Sequence, residues 1–180
     1  VNNINQVVVS SIYNKFIPKN TQSGLDKEVF EFIDFDKVEN IYSDFLGVKN
    51  SVNTFNKQFD LIILSQVHRQ RNLGDYLDKA YASLKVGGQL VVLCPFYSNC
   101  VGSGNTNSLW NAGYLVYNLV LAGFDCKNAK VSTFRNEIQI YLRKNGRQIP
   151  ENNSIDALVD YFPLEVYQHF NGNIHEVNWK

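Results

Sequence analysis

The chain has 180 residues, enough for one domain with a full hydrophobic core but too few for two large ones. It carries 17 Lys and Arg residues and 17 Asp and Glu residues, so no net charge attracts nucleic acid or an anionic membrane surface. No apolar run approaches the roughly 20 residues that span a bilayer, and the first residues show no signal-peptide pattern.

The first predicted strand covers residues 6–10, a short run that is rich in β-branched side chains. Ser10 ends this strand and Ser11 begins the connection that follows it. Residues 11–16 contain no glycine, and the first glycine of the chain is Gly24. The backbone of this connection therefore lacks the conformational freedom that a glycine-rich turn would give it.

Acidic residues end the next two predicted strands. Residues 29–34 form the second candidate strand, which ends at Asp34 and is followed by Asp36. Residues 40–43 form a short third candidate, followed by Asp44. Taken alone, these carboxylates are also typical of solvated strand ends, and Asp44 of a turn or a helix cap.

Two apolar runs, at residues 59–65 and 89–96, are the strongest structural signal in the chain. Runs that are apolar on both faces are typical of strands covered on both sides, as in a parallel sheet. Between them, apolar residues recur at helical spacing, and a Gly87-Gly88 pair precedes the second run. The apolar positions of the predicted helix are Leu73, Leu77, Ala80, Tyr81 and Leu84. This order predicts a βαβ unit with a right-handed crossover.

The remaining elements follow the second apolar run. The polar, turn-rich residues 97–107 predict either a mobile lid or a plain surface connection. Ser108 is expected to cap a helix that runs through Leu121 and is terminated by Gly123. Two further strands are predicted at residues 127–133 and 137–142, the second with alternating polar and apolar residues.

We expect an α/β domain at residues 1–145 and a C-terminal extension at residues 146–180. The polar residues 145–153 are interpreted as a linker, and residues 155–162 as a short helix. The extension either packs on the core or pairs with a second subunit in a homodimer, and the sequence leaves both alternatives open.

The three cysteines, Cys94, Cys100 and Cys126, do not have the spacing of metal ligands. Cys94 and Cys126 are expected to be buried thiols within strands. Such thiols are typical of a reducing compartment, which favours a cytoplasmic location.

Residues 59–96 resemble the second half of class I S-adenosylmethionine-dependent methyltransferases. Leu84-Lys85-Val86-Gly87-Gly88 matches the "LKPGG" turn of that family, with Val86 at the position where proline is usual. As an ordered series of elements, the resemblance extends over residues 29–144. It implies a Rossmann-like, doubly wound α/β fold with three layers, a mostly parallel sheet of order 3-2-1-4-5-7-6, and an antiparallel last strand.

The resemblance also implies that S-adenosylmethionine is the cofactor and that a small molecule is the methyl acceptor. Ser10 and Ser11 occupy the place where the family's backbone approaches the cofactor. Asp34, or Asp36 beside it, would accept hydrogen bonds from the ribose hydroxyls, since one carboxylate can take both donors. Asp44 would meet the amino group of adenine.

Ser65, Gln66 and His68 follow the strand at residues 59–65, beside the point where the strand order is expected to reverse. Ligands of open α/β sheets bind at this point, so Ser65 and Gln66 are expected to line the cofactor or the acceptor. His68 lies near the position of a histidine in the family and is a candidate base or substrate-orienting residue. The alternative is that His68 is an exposed polar residue without a role in a site.

The glycine-free connection at residues 11–16 departs from the family pattern and leaves three hypotheses. The first is a methyltransferase that acts on a small molecule. The second is a non-catalytic, methyltransferase-like binding or partner domain that has lost the cofactor. The third is an α/β domain that binds another nucleotide or a sugar nucleotide in the same crevice.

Overall fold

The computed structural model describes residues 7–10, 59–65, 67–70, 72–95, 110–134 and 137–164. The strands within these ranges are β1 (Val7–Ser10), β2 (Phe59–Ser65), β3 (Leu84–Pro95), β4 (Lys130–Phe134) and β5 (Glu137–Arg143). The helices are α1 (Leu73–Ser83), α2 (Ala112–Leu121) and α3 (Ile155–Leu158). Two 3₁₀ turns are present at Val67–Arg69 and Val159–Tyr161. In the part of the chain that the structure describes, no helix is both long and apolar enough to cross a membrane.

The strands form a mixed sheet in the order β1-β2-β3-β5-β4. β1, β2 and β3 are parallel, with Ile63 paired to Val9 on one side and to Val91 on the other. β5 runs antiparallel to β3, and β4 runs antiparallel to β5. The predicted α/β class is therefore confirmed, and the antiparallel strand expected at residues 137–142 is present as β5. The strands predicted at residues 29–34 and 40–43 lie outside the described ranges, and the full seven-strand order stays a prediction.

Helix α1 forms where the sequence predicted it and begins with a side-chain cap. The Asn72 side chain accepts a hydrogen bond from the backbone N–H of Asp75 at 3.3 Å, which satisfies one of the free amides of the first turn. The buried residues of the helix are Leu73, Tyr76, Leu77, Ala80 and Ser83. Leu84, predicted to belong to the helix, is instead the first residue of β3 and pairs with Phe59.

The two glycines at the start of β3 are required for different reasons. Gly87 has a φ of +83°, which L side chains rarely adopt. Gly88 has ordinary backbone geometry, but a Cβ there would lie 2.8 Å from Leu84 Cδ1 and 2.9 Å from the Lys85 carbonyl oxygen. The pair lies within β3 and not in the predicted turn before it, and a side chain at either position therefore requires a local rearrangement.

Helix α2 begins at Ala112, and the prediction that Ser108 caps it is wrong. Asn111 is the cap, and its side chain accepts a hydrogen bond from the backbone N–H of Tyr114 at 2.7 Å. Asparagine caps a helix as well as serine does, and Asn111 directly precedes the first helical residue. The last helical residue is Leu121, as predicted, and Gly123 follows with a φ of +103°. The Gly123 N–H donates to the Val120 carbonyl at 2.9 Å.

One hydrophobic core lies between the sheet and the helices, and residues of all three helices contribute to it. Alternate residues of the strands face it. The core positions on β3 and β5 are Leu90, Val92, Cys94, Ile138, Ile140 and Leu142. Because side chains alternate across a strand, Glu137, Gln139 and Tyr141 face the opposite side of the sheet.

Residues 146–164 pack on this core through the second half of the segment. Leu158 and Phe162 are buried in the core cluster. The Tyr117 hydroxyl donates a hydrogen bond to the Asn153 carbonyl at 3.0 Å. The Tyr161 carbonyl accepts a hydrogen bond from the Cys126 backbone N–H, also at 3.0 Å. The domain division at residue 145 and the pairing with a second subunit stay predictions.

Cys94 and Cys126 are both buried, as predicted. Cys94 lies in β3, but Cys126 lies before β4 rather than within a strand, because β4 begins only at Lys130. Burial raises the pKa of the Cys126 thiol, and the charge of Asp125 raises it further. Cys100 lies outside the described residues.

Candidate functional site

The carboxyl ends of β1, β2 and β3 meet at one edge of the sheet because these strands are parallel. Ser10 is the last residue of β1 and pairs with Leu64. Ser65 is the last residue of β2 and pairs with Leu93. The backbone therefore brings Ser10 and Ser65 to the ends of neighbouring strands. Their expected roles in ligand binding stay predictions.

His68 lies at the same edge, in the 3₁₀ turn that follows β2. Only 5% of its surface is exposed, so the alternative of an exposed polar residue is wrong. The neighbouring Val67 is fully buried and belongs to the hydrophobic core. Burial lowers the pKa of His68, and the positive charge of Arg69 lowers it further. The imidazole is therefore neutral at pH 7 and is able to act both as a donor and as an acceptor.

The other predicted site residues lie outside the described ranges, and their roles stay predictions. They are Ser11, Asp34, Asp36, Asp44 and Gln66. The same holds for the connection at residues 97–107, which was predicted as a lid or a plain loop.

Two residues that sequence reasoning missed lie at this edge. β5 runs antiparallel to β3, so its first residues lie beside the last residues of β3. Glu137 pairs with Pro95, and Gln139 pairs with Leu93. The structure therefore brings a carboxyl and an amide group to the edge where β2 and β3 end.

Glu137 and Gln139 contact each other on the sheet face opposite the core. Gln139 Nε2 donates to Glu137 Oε2 at 3.4 Å, and Gln139 is only 5% exposed. Burial raises the pKa of the Glu137 carboxyl, and the hydrogen bond from Gln139 opposes part of that shift. One sequence signal could have found the pair: polar residues at the start of an antiparallel strand next to β3 must lie at the carboxyl edge.

A shallow open cavity of about 570 Å³ lies elsewhere, where α1 and α2 end. Its lining includes Tyr81, Gly123 and Ile149. β3 starts immediately after α1, so this cavity lies at the amino end of β3. It is therefore separate from the edge that carries Ser65, His68 and Glu137.

No family model matches the sequence, and no curated protein matches it. Solved structures do resemble this chain. The N-methyltransferase NodS from Bradyrhizobium japonicum WM9, in complex with S-adenosylhomocysteine, aligns with a TM-score of 0.50 and 14% identity, over 78% of this chain and 78% of its own. The methyltransferase-like α/β fold is therefore shared. At this identity, the NodS structure shows the fold and not the activity.

Two further solved structures are similar at lower scores. The N-terminal domain of EvdMO1 with S-adenosylhomocysteine bound aligns with a TM-score of 0.49 and 13% identity, over 79% of this chain and 75% of its own. An O-methyltransferase family protein from Burkholderia thailandensis aligns with a TM-score of 0.46 and 16% identity, over 67% of this chain. This chain covers 40% of the length of that protein.

Proposed function

We propose that this protein is an S-adenosylmethionine-dependent methyltransferase that acts on a small molecule. The observation that carries the proposal is the carboxyl edge of a methyltransferase-like sheet, where β1 and β2 end side by side. Ligands of open α/β sheets bind outside the carboxyl ends of the strands, at the point where the strand order reverses.

The reversal point is proposed to lie between β1 and β2. From β2 the sheet continues to β3 and away from β1. β1 ends the described sheet, so its other side is where the strands expected at residues 29–34 and 40–43 would pair. With those two strands the order becomes 3-2-1-4-5-7-6, in which β2 and β3 are the fourth and fifth strands.

The residues at the edge fit the chemistry of this cofactor. S-adenosylmethionine, when bound, supplies a methyl group on a positively charged sulfonium. A neutral His68 adds no positive charge that would repel it, and the backbone brings Ser10 and Ser65 to the ends of neighbouring strands at this edge. Asp34 or Asp36 would hold the ribose and Asp44 the adenine, while Ser11 and Gln66 complete the lining.

His68 is proposed to hold or accept a proton of the acceptor. Methyl transfer requires that the acceptor atom be aligned with the methyl group and that water be excluded. A base is needed only if the acceptor atom carries a proton that it must lose. A buried imidazole with a lowered pKa is neutral at pH 7 and is ready to take that proton.

Calorimetric titration of the full chain with S-adenosylmethionine and S-adenosylhomocysteine tests the proposal. We expect saturable binding of both and a rise of the thermal midpoint that follows the excess of ligand over its dissociation constant. Asp34→Ala should weaken binding, whereas Asp160→Ala, at an exposed position of the C-terminal 3₁₀ turn, should not. If millimolar concentrations of either compound produce no binding, the methyltransferase proposal fails and the non-catalytic partner domain replaces it.

A further inference from the structure

We propose that Glu137 and Gln139 recognise the methyl acceptor, and that this acceptor carries a protonated amino group. The inference rests on the proposed function and deepens it by naming the chemical class of the acceptor. It concerns two residues on β5, whereas the cofactor is expected to contact residues that follow β1 and β2.

The sheet register places the pair beside the expected cofactor site. Ser65, Leu93 and Gln139 form one row across β2, β3 and β5. Neighbouring strands are about 4.8 Å apart, so the backbone of Gln139 lies roughly 10 Å from that of Ser65. This separation suits an acceptor that is held on β5 and reaches towards a cofactor held at the ends of β1 and β2.

The core that the helices cover does not include either side chain. Ile138 and Ile140 of the same strand face the core that the helices cover. Glu137 and Gln139 face the other side, where Glu137 is only partly buried. The pair is therefore not needed to fill the core.

The charge of Glu137 has no counterpart in the described structure. Lys85 and Arg147 form the ion pairs found among the described residues, with Asp60 and Asp125. Among the described residues, Glu137 contacts the neutral amide of Gln139 at 3.4 Å and no cationic side chain. A carboxylate withdrawn from water is costly unless a cation or several hydrogen bonds compensate it. The pKa of the Glu137 carboxyl is raised mainly by burial, which agrees with a carboxylate that is withdrawn from water.

An ammonium group of a ligand would supply the missing charge. It would donate a charge-assisted hydrogen bond to Glu137, while an alcohol would give only a weaker neutral-donor bond. Gln139 fixes the carboxyl through its Nε2, and this orientation makes it a positioning residue. The arrangement therefore favours amines over alcohols of the same shape.

Matched amines and alcohols test the proposal on the full chain saturated with S-adenosylhomocysteine. The probes are benzylamine with benzyl alcohol, 2-phenylethylamine with 2-phenylethanol, and 1,4-diaminobutane with 1,4-butanediol. Binding is measured by saturation-transfer NMR and by calorimetry. We expect the amines to bind more tightly than their alcohols, and Glu137→Gln to weaken the amines by about tenfold or more.

Affinity for S-adenosylhomocysteine and for the alcohols should not change in Glu137→Gln. Glu151→Gln removes a carboxylate at an exposed position and should leave amine binding unchanged. The proposal is overturned if no amine binds, if alcohols bind as well as amines, or if Glu137→Gln binds amines as the parent does.

Failure of the proposed function is distinguishable from failure of this inference. If the parent protein does not bind S-adenosylhomocysteine, the methyltransferase proposal fails, and the amine series is measured on the protein alone. Amine binding that depends on Glu137 then still supports a cation site at this edge. If amine binding does not depend on Glu137, or if no amine binds, the cation site is overturned as well.

Discussion

Lys144 Nζ lies 3.9 Å from the centre of the Tyr81 ring and donates a hydrogen bond to the Tyr81 carbonyl oxygen at 2.6 Å. The same ammonium donates to the Leu84 carbonyl at 2.9 Å. Tyr81 is in the last turn of α1, where carbonyl groups lack helical partners and carry partial negative charge. Lys144 directly follows β5, so its side chain connects the end of β5 to the end of α1.

Lys144→Met should destabilise the protein by about 1–3 kcal/mol, because it removes charge-assisted hydrogen bonds to two partly buried carbonyl groups. Urea unfolding of the variant measures the loss. Lys127→Met, at an exposed position before β4, is the matched control and should change stability by less than about 0.5 kcal/mol. Equal losses in the two variants would contradict a specific role of Lys144.

Gly88→Ala should destabilise the protein by about 1–3 kcal/mol through overpacking, because the new methyl group meets Leu84 Cδ1 and the Lys85 carbonyl. Thermal and urea unfolding measure the effect. Gly74→Ala is the control, since a Cβ there meets only Asn72 Oδ1 at 3.6 Å, and it should stabilise α1 by up to about 1 kcal/mol. A Gly88→Ala variant as stable as the parent would show that this part of β3 rearranges freely.

Asp125 holds the segment that follows β5. Its carboxylate accepts from Asn145 Nδ2 at 2.7 Å and from the Lys127 backbone N–H at 3.1 Å, and it lies 3.5 Å from Arg147 Nη1. Asp125→Ala should cost about 1–3 kcal/mol, mainly through the two hydrogen bonds, because Arg147 stays partly in contact with water.

Hydrogen exchange locates the Asp125 effect. The amide of Cys126 donates to the Tyr161 carbonyl, so this amide should exchange faster in Asp125→Ala if the C-terminal segment loosens. Asp78→Ala, on the exposed side of α1, should leave exchange at Cys126 unchanged. Unchanged protection in Asp125→Ala would mean that Leu158 and Phe162 hold the segment by themselves.

Glu137 should make stability depend on pH in a defined direction. Burial raises the pKa of its carboxyl above the ordinary value of 4.5, so the folded protein binds this proton more tightly than the unfolded chain. The stabilisation that this tighter proton binding gives the folded protein is complete below pH 4.5. It is lost as the pH rises through the pKa of Glu137 in the folded protein. Glu137→Gln should therefore be more stable than the parent at neutral pH, with a difference that shrinks as the pH falls.

Urea unfolding over a pH series, from about pH 4 to about pH 8, measures the Glu137 effect. Glu151→Gln, at an exposed position, should show no such dependence. If the stability advantage of Glu137→Gln over the parent grows as the pH falls, the predicted direction of the pH dependence is wrong. Greater stability without the carboxylate would also fit a binding residue, since such sites often reduce stability.

The sequence was sufficient to predict a helix or a strand where the residues of that segment alone determine its conformation. The apolar runs of β2 and β3, and the helical spacing between them, predicted the βαβ elements because each period depends only on neighbouring residues. The Gly87-Gly88 pair was predicted as a turn before the second apolar run, but it lies within β3, at the irregularity in register between Phe59 and Leu61. The first residue of α2 was not, because Ser108 and Asn111 are both good caps and only the path of the chain selects one.

Tertiary structure alone decided the position of side chains relative to the site. His68 is only 5% exposed, although its sequence context also allowed an exposed polar residue. Glu137 and Gln139 lie at the carboxyl edge because β5 pairs with β3 in the antiparallel direction. A sequence pattern shows that a segment is a strand, but its direction and neighbours depend on hydrogen bonds and packing with residues far away along the chain.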